Sequence, residues 1–176
     1  SGAMFAIIGS TPADIEKVCA ETEGYVVPVN YNSSVQTVIA GEEAAAQAAA
    51  DTLAAAGARA IRLNVAAAFH SKLMQGAADE FKPAAEQISF KTPEITMLSN
   101  ISGTVLDSID NMPERLALHI VSPVKFTSEL AYLSENGYDT FIECGPGKVL
   151  TGLVKKTLKG VNAMNVQDAE IGRAHV

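Results

Sequence analysis

Residues 25–40 read Tyr25-Val26-Val27-Pro28-Val29-Asn30-Tyr31-Asn32-Ser33-Ser34-Val35-Gln36-Thr37-Val38-Ile39-Ala40. Two β-rich runs, Tyr25 to Val29 and Gln36 to Ala40, flank Asn30-Tyr31-Asn32-Ser33-Ser34, a cluster of turn-forming residues. They predict two consecutive strands. Upstream, Met4-Phe5-Ala6-Ile7-Ile8 is a short apolar run suited to a buried strand, and Ser10 or Thr11 can cap a helix that begins at Pro12. That helix carries Ile15, Val18 and Cys19 at helical spacing and stops near Gly24. Downstream, the alanine-rich stretch from Glu42 to Ala56 has high helix propensity and ends at Gly57. An alternating run from Ala60 to Val65 closes the series as a strand. The order βαββαβ is the ferredoxin-like arrangement, and it predicts a subdomain over residues 1–65.

The rhythm then changes. Ser71 to Ile88 has a helical pattern with Pro83 as a point of kinking. Ile95-Thr96-Met97-Leu98 reads as a compact buried strand. Helices follow from Pro113 to about Val121 and from Pro123 to about Glu135. Thr140 to Cys144 reads as a second strand, and Lys148 to Lys159 as a last helix. Two strands separated by helices suggest parallel pairing. Two strands alone cannot make a stable sheet covered on both faces. Residues 66–160 therefore read as an incomplete α/β part, and 161–176 as an irregular tail.

The chain has 176 residues, 48% of them apolar and 19% charged, with 13 basic side chains against 20 acidic ones. Composition excludes a disordered or fibrous chain. The acidic balance argues against nucleic acid as the main partner. No apolar run is long enough to span a bilayer, so no membrane partner is expected. Cys19 and Cys144 lie too far apart in sequence to suggest a disulfide framework or a metal knuckle. No metal or cofactor is expected, and a reduced, cytoplasmic setting fits.

Chemistry concentrates at Ala66-Ala67-Ala68-Phe69-His70-Ser71-Lys72-Leu73-Met74. His70 sits where a strand gives way to a helix, a place from which a side chain can enter a cleft. An imidazole there is suited to take and return a proton. The plainer alternative is a histidine satisfied near a helix start. Gly145-Pro146-Gly147-Lys148 invites comparison with a phosphate-binding loop and fails it. Such a loop needs glycine at 142 and Ser or Thr at 149, where Ile142 and Val149 stand.

Several motifs occur in one order: Phe69-His70-Ser71 with Leu73-Met74, then Ser99-Asn100, then Ser122-Pro123-Val124-Lys125-Phe126, then Glu143-Cys144-Gly145-Pro146-Gly147-Lys148-Val149-Leu150. Together with Asn30-Tyr31-Asn32-Ser33, Gln36 and the opening Gly2-Ala3-Met4, they resemble the malonyl-CoA:acyl carrier protein transacylase family. The similarity runs from about Gly2 to Lys159. It implies an α/β fold in which a ferredoxin-like subdomain is inserted into an α/β-hydrolase-like acyltransferase domain. It also implies a ping-pong transfer of malonyl from CoA, through a serine, to the phosphopantetheine thiol of an acyl carrier protein. That serine belongs to a Gly-His-Ser-Leu-Gly elbow, which this sequence lacks and the family places upstream. The chain is expected to represent the C-terminal part of such an enzyme and to be inactive alone. It would need the N-terminal part as partner, and self-association through uncovered surfaces is expected otherwise.

By the same resemblance His70 is the general base, and the backbone carbonyl of His119 fixes its tautomer. Phe69 resembles the malonyl-selective form of the motif, because a bulky ring leaves little room beside the substrate's α-carbon. Asn32 is a candidate substrate contact, although Asn30 to Ser33 is also ordinary turn chemistry. Arg59, Lys155 and Lys156 are candidates for docking an acidic carrier protein. The cationic end of a helix, stabilised by its own dipole, is the plainer account of the two lysines. A non-catalytic ferredoxin-like interaction module is the alternative function. A thiol enzyme built on Cys144 is disfavoured, because no flanking basic group would activate that thiol and it is expected to be buried.

Overall fold

Apolar continuity from Met4 to Ile7 has a simple origin, because the strand that holds it is covered on both faces. The computed structural model describes residues 2–168. It begins with β1 (Gly2–Ile8), α1 (Pro12–Glu21), β2 (Val26–Ser33), β3 (Gln36–Glu42), α2 (Glu43–Ala55) and β4 (Arg59–Arg62). The four strands form an antiparallel sheet in the order β2-β3-β1-β4. Ala3, Phe5, Ile7 and Ile39 on one face meet Ile15, Cys19, Ala46, Ala49 and Leu53 of the two helices. Met4, Ala6, Val38 and Ala40 on the other face pack with Val29, Leu63 and Ala68. Thr11 caps α1, its Oγ1 accepting from the Asp14 amide at 3.2 Å. The βαββαβ order read from the sequence is the observed one.

The turn cluster is a correction. β2 continues through Asn30, Tyr31 and Asn32 to Ser33, leaving Ser34 and Val35 as the turn. Its register on β3 slips between Pro28 and Asn30 and again between Tyr31 and Ser33. A second partner explains the extension: the Tyr31 amide donates to the Val124 carbonyl at 2.9 Å, and the Val124 amide donates to Val29 at 2.8 Å. Tertiary pairing overrides local turn preference. The same bridge delays α5 (Phe126–Glu135), expected from Pro123, by holding Val124 extended.

Beyond β4, a 3-10 turn at Lys72–Met74 leads into α3 (Gln75–Ala85), which holds Pro83 within it. The buried strand expected at Ile95–Leu98 shrinks to β5 (Leu98–Ser99), which forms a hairpin with β6 (Thr104–Val105). Ile95 is 82% exposed and Met97 53%, since no neighbouring strand covers them among the described residues. After α4 (Met112–Val121), β7 (Thr140–Cys144) pairs in parallel with β8 (Asn162–Val166) rather than with the segment around Leu98. The crossover that parallel pairing needs is α6 (Val149–Thr157). β8 thus occupies part of the expected irregular tail. Asn162 and Asn165 hid it from a propensity reading, and residues 169–176 of that tail lie outside the described residues. Cys144, expected to be buried, is exposed on the open side of this two-stranded sheet. No helix among the described residues is long and apolar enough to cross a membrane.

Candidate active site

His70 adopts φ of 59°, the left-handed region that few side chains other than Asn, Asp and His enter. Its neighbours hold it there. The Ser71 hydroxyl, buried, donates to the Ala68 carbonyl at 2.6 Å and accepts from the Leu73 amide at 3.3 Å. The Lys72 amide donates to the Tyr25 hydroxyl at 3.1 Å, and the Lys72 ammonium stands 4.0 Å over the Tyr25 ring. A Cβ added at Gly2 would lie 2.8 Å from Cβ of Ala68, so only glycine lets β1 approach this loop. The ferredoxin-like subdomain thereby fixes the backbone that carries His70.

From the other side, Nδ1 of His70 lies 3.1 Å from the His119 carbonyl. A carbonyl only accepts, so Nδ1 carries a proton, and in the neutral ring the lone pair lies on Nε2. The last turn of α4 supplies that carbonyl, which also receives the Ser122 amide at 3.4 Å as the helix ends. Burial first, and the nearby His70 second, hold the His119 imidazole below its ordinary range. Asn100 links this helix end to α5: its Nδ2 lies 3.3 Å from Nε2 of His119, and its carbonyl accepts from the Lys125 amide at 2.9 Å. Ser71 and Asn100 lie within sequence motifs that do not disclose these contacts, and nothing in the sequence singles out Tyr25.

Phe69 is 41% exposed beside His70, which sets it apart from core filling. Asn32 has no β3 partner at the second register slip, just past the Val124 bridge. The segment that Asn32 adjoins is therefore the continuation of the one that meets His70 at His119. Arg59 pairs with Ile8, Ile8 with Gln36, and Ser34 at the adjoining turn donates to the Lys156 carbonyl at 3.2 Å. Arg59, Lys155 and Lys156 are all exposed. Arg59 and Lys156 lie toward one end of the sheet. Ala68 and Gly2 lie toward the other end, some 20 Å along β3 by strand rise.

Cys19 is buried, and burial pushes its thiol up to about 12. At the Gly145-Pro146-Gly147 turn, Glu143 accepts from the Leu150 and Thr151 amides at 3.1 and 2.8 Å. The chain's own carboxylate occupies the α6 N-terminus where a phosphate would bind, and those bonds hold it below the usual carboxylate range. No cluster of three or more metal-ligating side chains occurs among the described residues. Beside His119 opens an apolar groove of about 420 Å³ lined by Met97, Leu98, Leu106, Met112 and Leu116, with Asn100 and Arg115 at its polar side.

A malonyl CoA-acyl carrier protein transacylase of Escherichia coli K12 is 39% identical over 166 residues, 93% of this chain and 54% of that protein. The chain thus spans about half the length of the curated relatives it matches. A crystal structure of the corresponding protein from Clostridium perfringens superposes with a TM-score of 0.94 at 36% identity, covering 99% of this chain and 56% of that one. A malonyl-transacylase solved in complex with its type II polyketide synthase acyl-carrier protein gives 0.91 at 36% identity, covering 97% and 56%. A family model described as acyl transferase domain matches residues 1–174, and the chain belongs to that family.

Proposed function

We propose that this chain supplies the base, the acyl-selecting ring and the carrier-docking cations of a transferase. That transferase moves malonyl from CoA to the phosphopantetheine thiol of an acyl carrier protein in the cytoplasm. The observation that carries the reading is the 3.1 Å contact between Nδ1 of His70 and the His119 carbonyl, which leaves Nε2 free to act on a hydroxyl. In the first half-reaction Nε2 takes the proton of a serine hydroxyl while its oxygen attacks the malonyl thioester carbonyl. The C–S bond then breaks, and the CoA thiolate leaves with the proton that His70 returns. In the second, the carrier thiol gives its proton to Nε2 and attacks the malonyl ester. The serine oxygen departs and takes that proton back.

The chain has no Gly-His-Ser-Leu-Gly elbow, so the serine must come from the region that relatives carry beyond the matched half. Exposed Ile95, Met97, Leu118, Ile142, Val149 and Leu150 are suited to pack against that region. The carrier reading is supported by the complex of a 36% identical transacylase with its acyl-carrier protein. The test is complementation with the serine-bearing half of a relative. The 176-residue chain alone should transfer no malonyl from CoA and should self-associate. The two parts together should form a defined complex and transfer malonyl to a carrier protein. Serine-type transfer by the chain alone, or a complex without transfer, would contradict the proposal.

A further inference from the structure

His119 presents more than a carbonyl to the candidate site. Its ring centroid lies 5.4 Å from that of His70, and its Nε2 lies 3.3 Å from Nδ2 of Asn100. An amide nitrogen offers no lone pair, so it donates and Nε2 must be bare. The ring is then neutral, with its proton on Nδ1. The Lys125 amide donates to the main-chain carbonyl of Asn100 and so fixes its backbone, next to the Val124 bridge that joins this region to β2.

We propose that the imidazole of His119 is a positioning residue that works only while neutral: the Asn100 amide grips the ring, the ring fixes the last turn of α4, and that turn aims its carbonyl at His70. The proposal rests on the reading of His70 as the base. Protonating His119 would set N–H against N–H at Asn100 and place a second cation beside His70, releasing the grip. Burial and the neighbouring His70 both oppose that protonation.

The charged groups on α4 and on the elements that neighbour it are already engaged or set apart, and Arg115 lines the same groove as His119. Lys72 of the 3-10 turn sits over Tyr25. Lys82 of α3 is engaged by Glu86 and by Glu114 of α4. Arg115 of α4 pairs with Asp107, and Lys125 stands at the head of α5. Burial first, and His70 second, hold the His119 ring below its ordinary range.

The test is nitrogen-15 NMR of the histidine rings in the 176-residue chain, titrated from neutral pH downward. At neutral pH, Nε2 of His119 should report as the unprotonated nitrogen. Its midpoint should rise by about half a pH unit or more in His70→Gln, which removes a like charge at this distance. It should also rise in Asn100→Asp, whose carboxylate accepts from a protonated Nε2; this variant carries the test if His70→Gln does not fold. In the complemented transferase, with each pH profile normalised to its own maximum, the acid limb should be steeper in the native protein than in His119→Gln. A proton on Nε2 in the neutral ring, a midpoint unmoved in both variants, or identical acid limbs would overturn the proposal. Failure of the base reading is distinct: it would appear as transfer retained in His70→Ala, whatever the rings report.

Discussion

Phe69 stands exposed beside His70, and its expected task is to crowd the α-carbon of the bound acyl group. One methyl group in an apolar pocket is worth about 1–3 kcal/mol of discrimination. In the complemented transferase, Phe69→Ser should therefore lower the preference for malonyl over methylmalonyl, read as a ratio of kcat/KM values, by about 10- to 100-fold. An unchanged ratio would remove Phe69 from the specificity account. Glu129 of α5 is a buried carboxyl that nothing in the sequence singles out. It is 7% exposed, and its Oε1 has no partner among the described residues. Burial raises its carboxyl above the ordinary value. The folded state therefore keeps a proton that the unfolded state has already released. The contribution to stability is whole below the unfolded carboxyl's range and declines as pH rises through the folded one. Glu129→Gln should stabilise the fold at neutral pH by about 1–3 kcal/mol, seen as a higher urea midpoint. Below about pH 4 it should have little effect. Equal gains at both pH values would contradict the assignment.

At the scale of elements, periodicity and caps exposed what short-range pattern controls. The six elements over residues 2–62 follow from apolar runs, the Thr11 cap and the stops at Gly24 and Gly57. Long-range pairing stayed hidden. Asn30, Tyr31 and Asn32 look like a turn until Val124 arrives to pair with them, and Asn162 to Val166 becomes a strand only because β7 lies alongside. The candidate site divides the same way. His70 stands out in its own motif and His119 only through the family resemblance, whereas Tyr25 and Ser71 act through contacts that only the folded chain makes. Close approach of β2 to β3 yields a sharp prediction. A Cβ at Gly41 would meet the Tyr25 carbonyl oxygen at 2.1 Å and Cα of Val26 at 2.6 Å, backbone atoms that cannot swing aside. Gly41→Ala should cost about 3 kcal/mol or more in denaturant unfolding. Gly76→Ala in α3, with open space around it, should instead be neutral or stabilise by up to about 1 kcal/mol. Similar effects for the two substitutions would contradict the packing described for β2 and β3.

On the scale of the whole molecule, the two halves carry different burdens. The ferredoxin-like subdomain has a sheet packed on both faces, while the remainder leaves Ile95 and Val149 at 82% and 72% exposure. Arg59 and Lys156 lie toward one end of the subdomain's sheet and the His70 loop toward the other. Everything proposed for the molecule converges on a free Nε2 at His70. The most direct measurement is the rate of malonyl loading onto the serine in the complemented transferase, followed by rapid mixing and intact mass, for native protein and His70→Ala. The account predicts a fall of at least about 100-fold with complex formation and unfolding midpoint preserved. Loading within tenfold of native in a folded His70→Ala complex would contradict it.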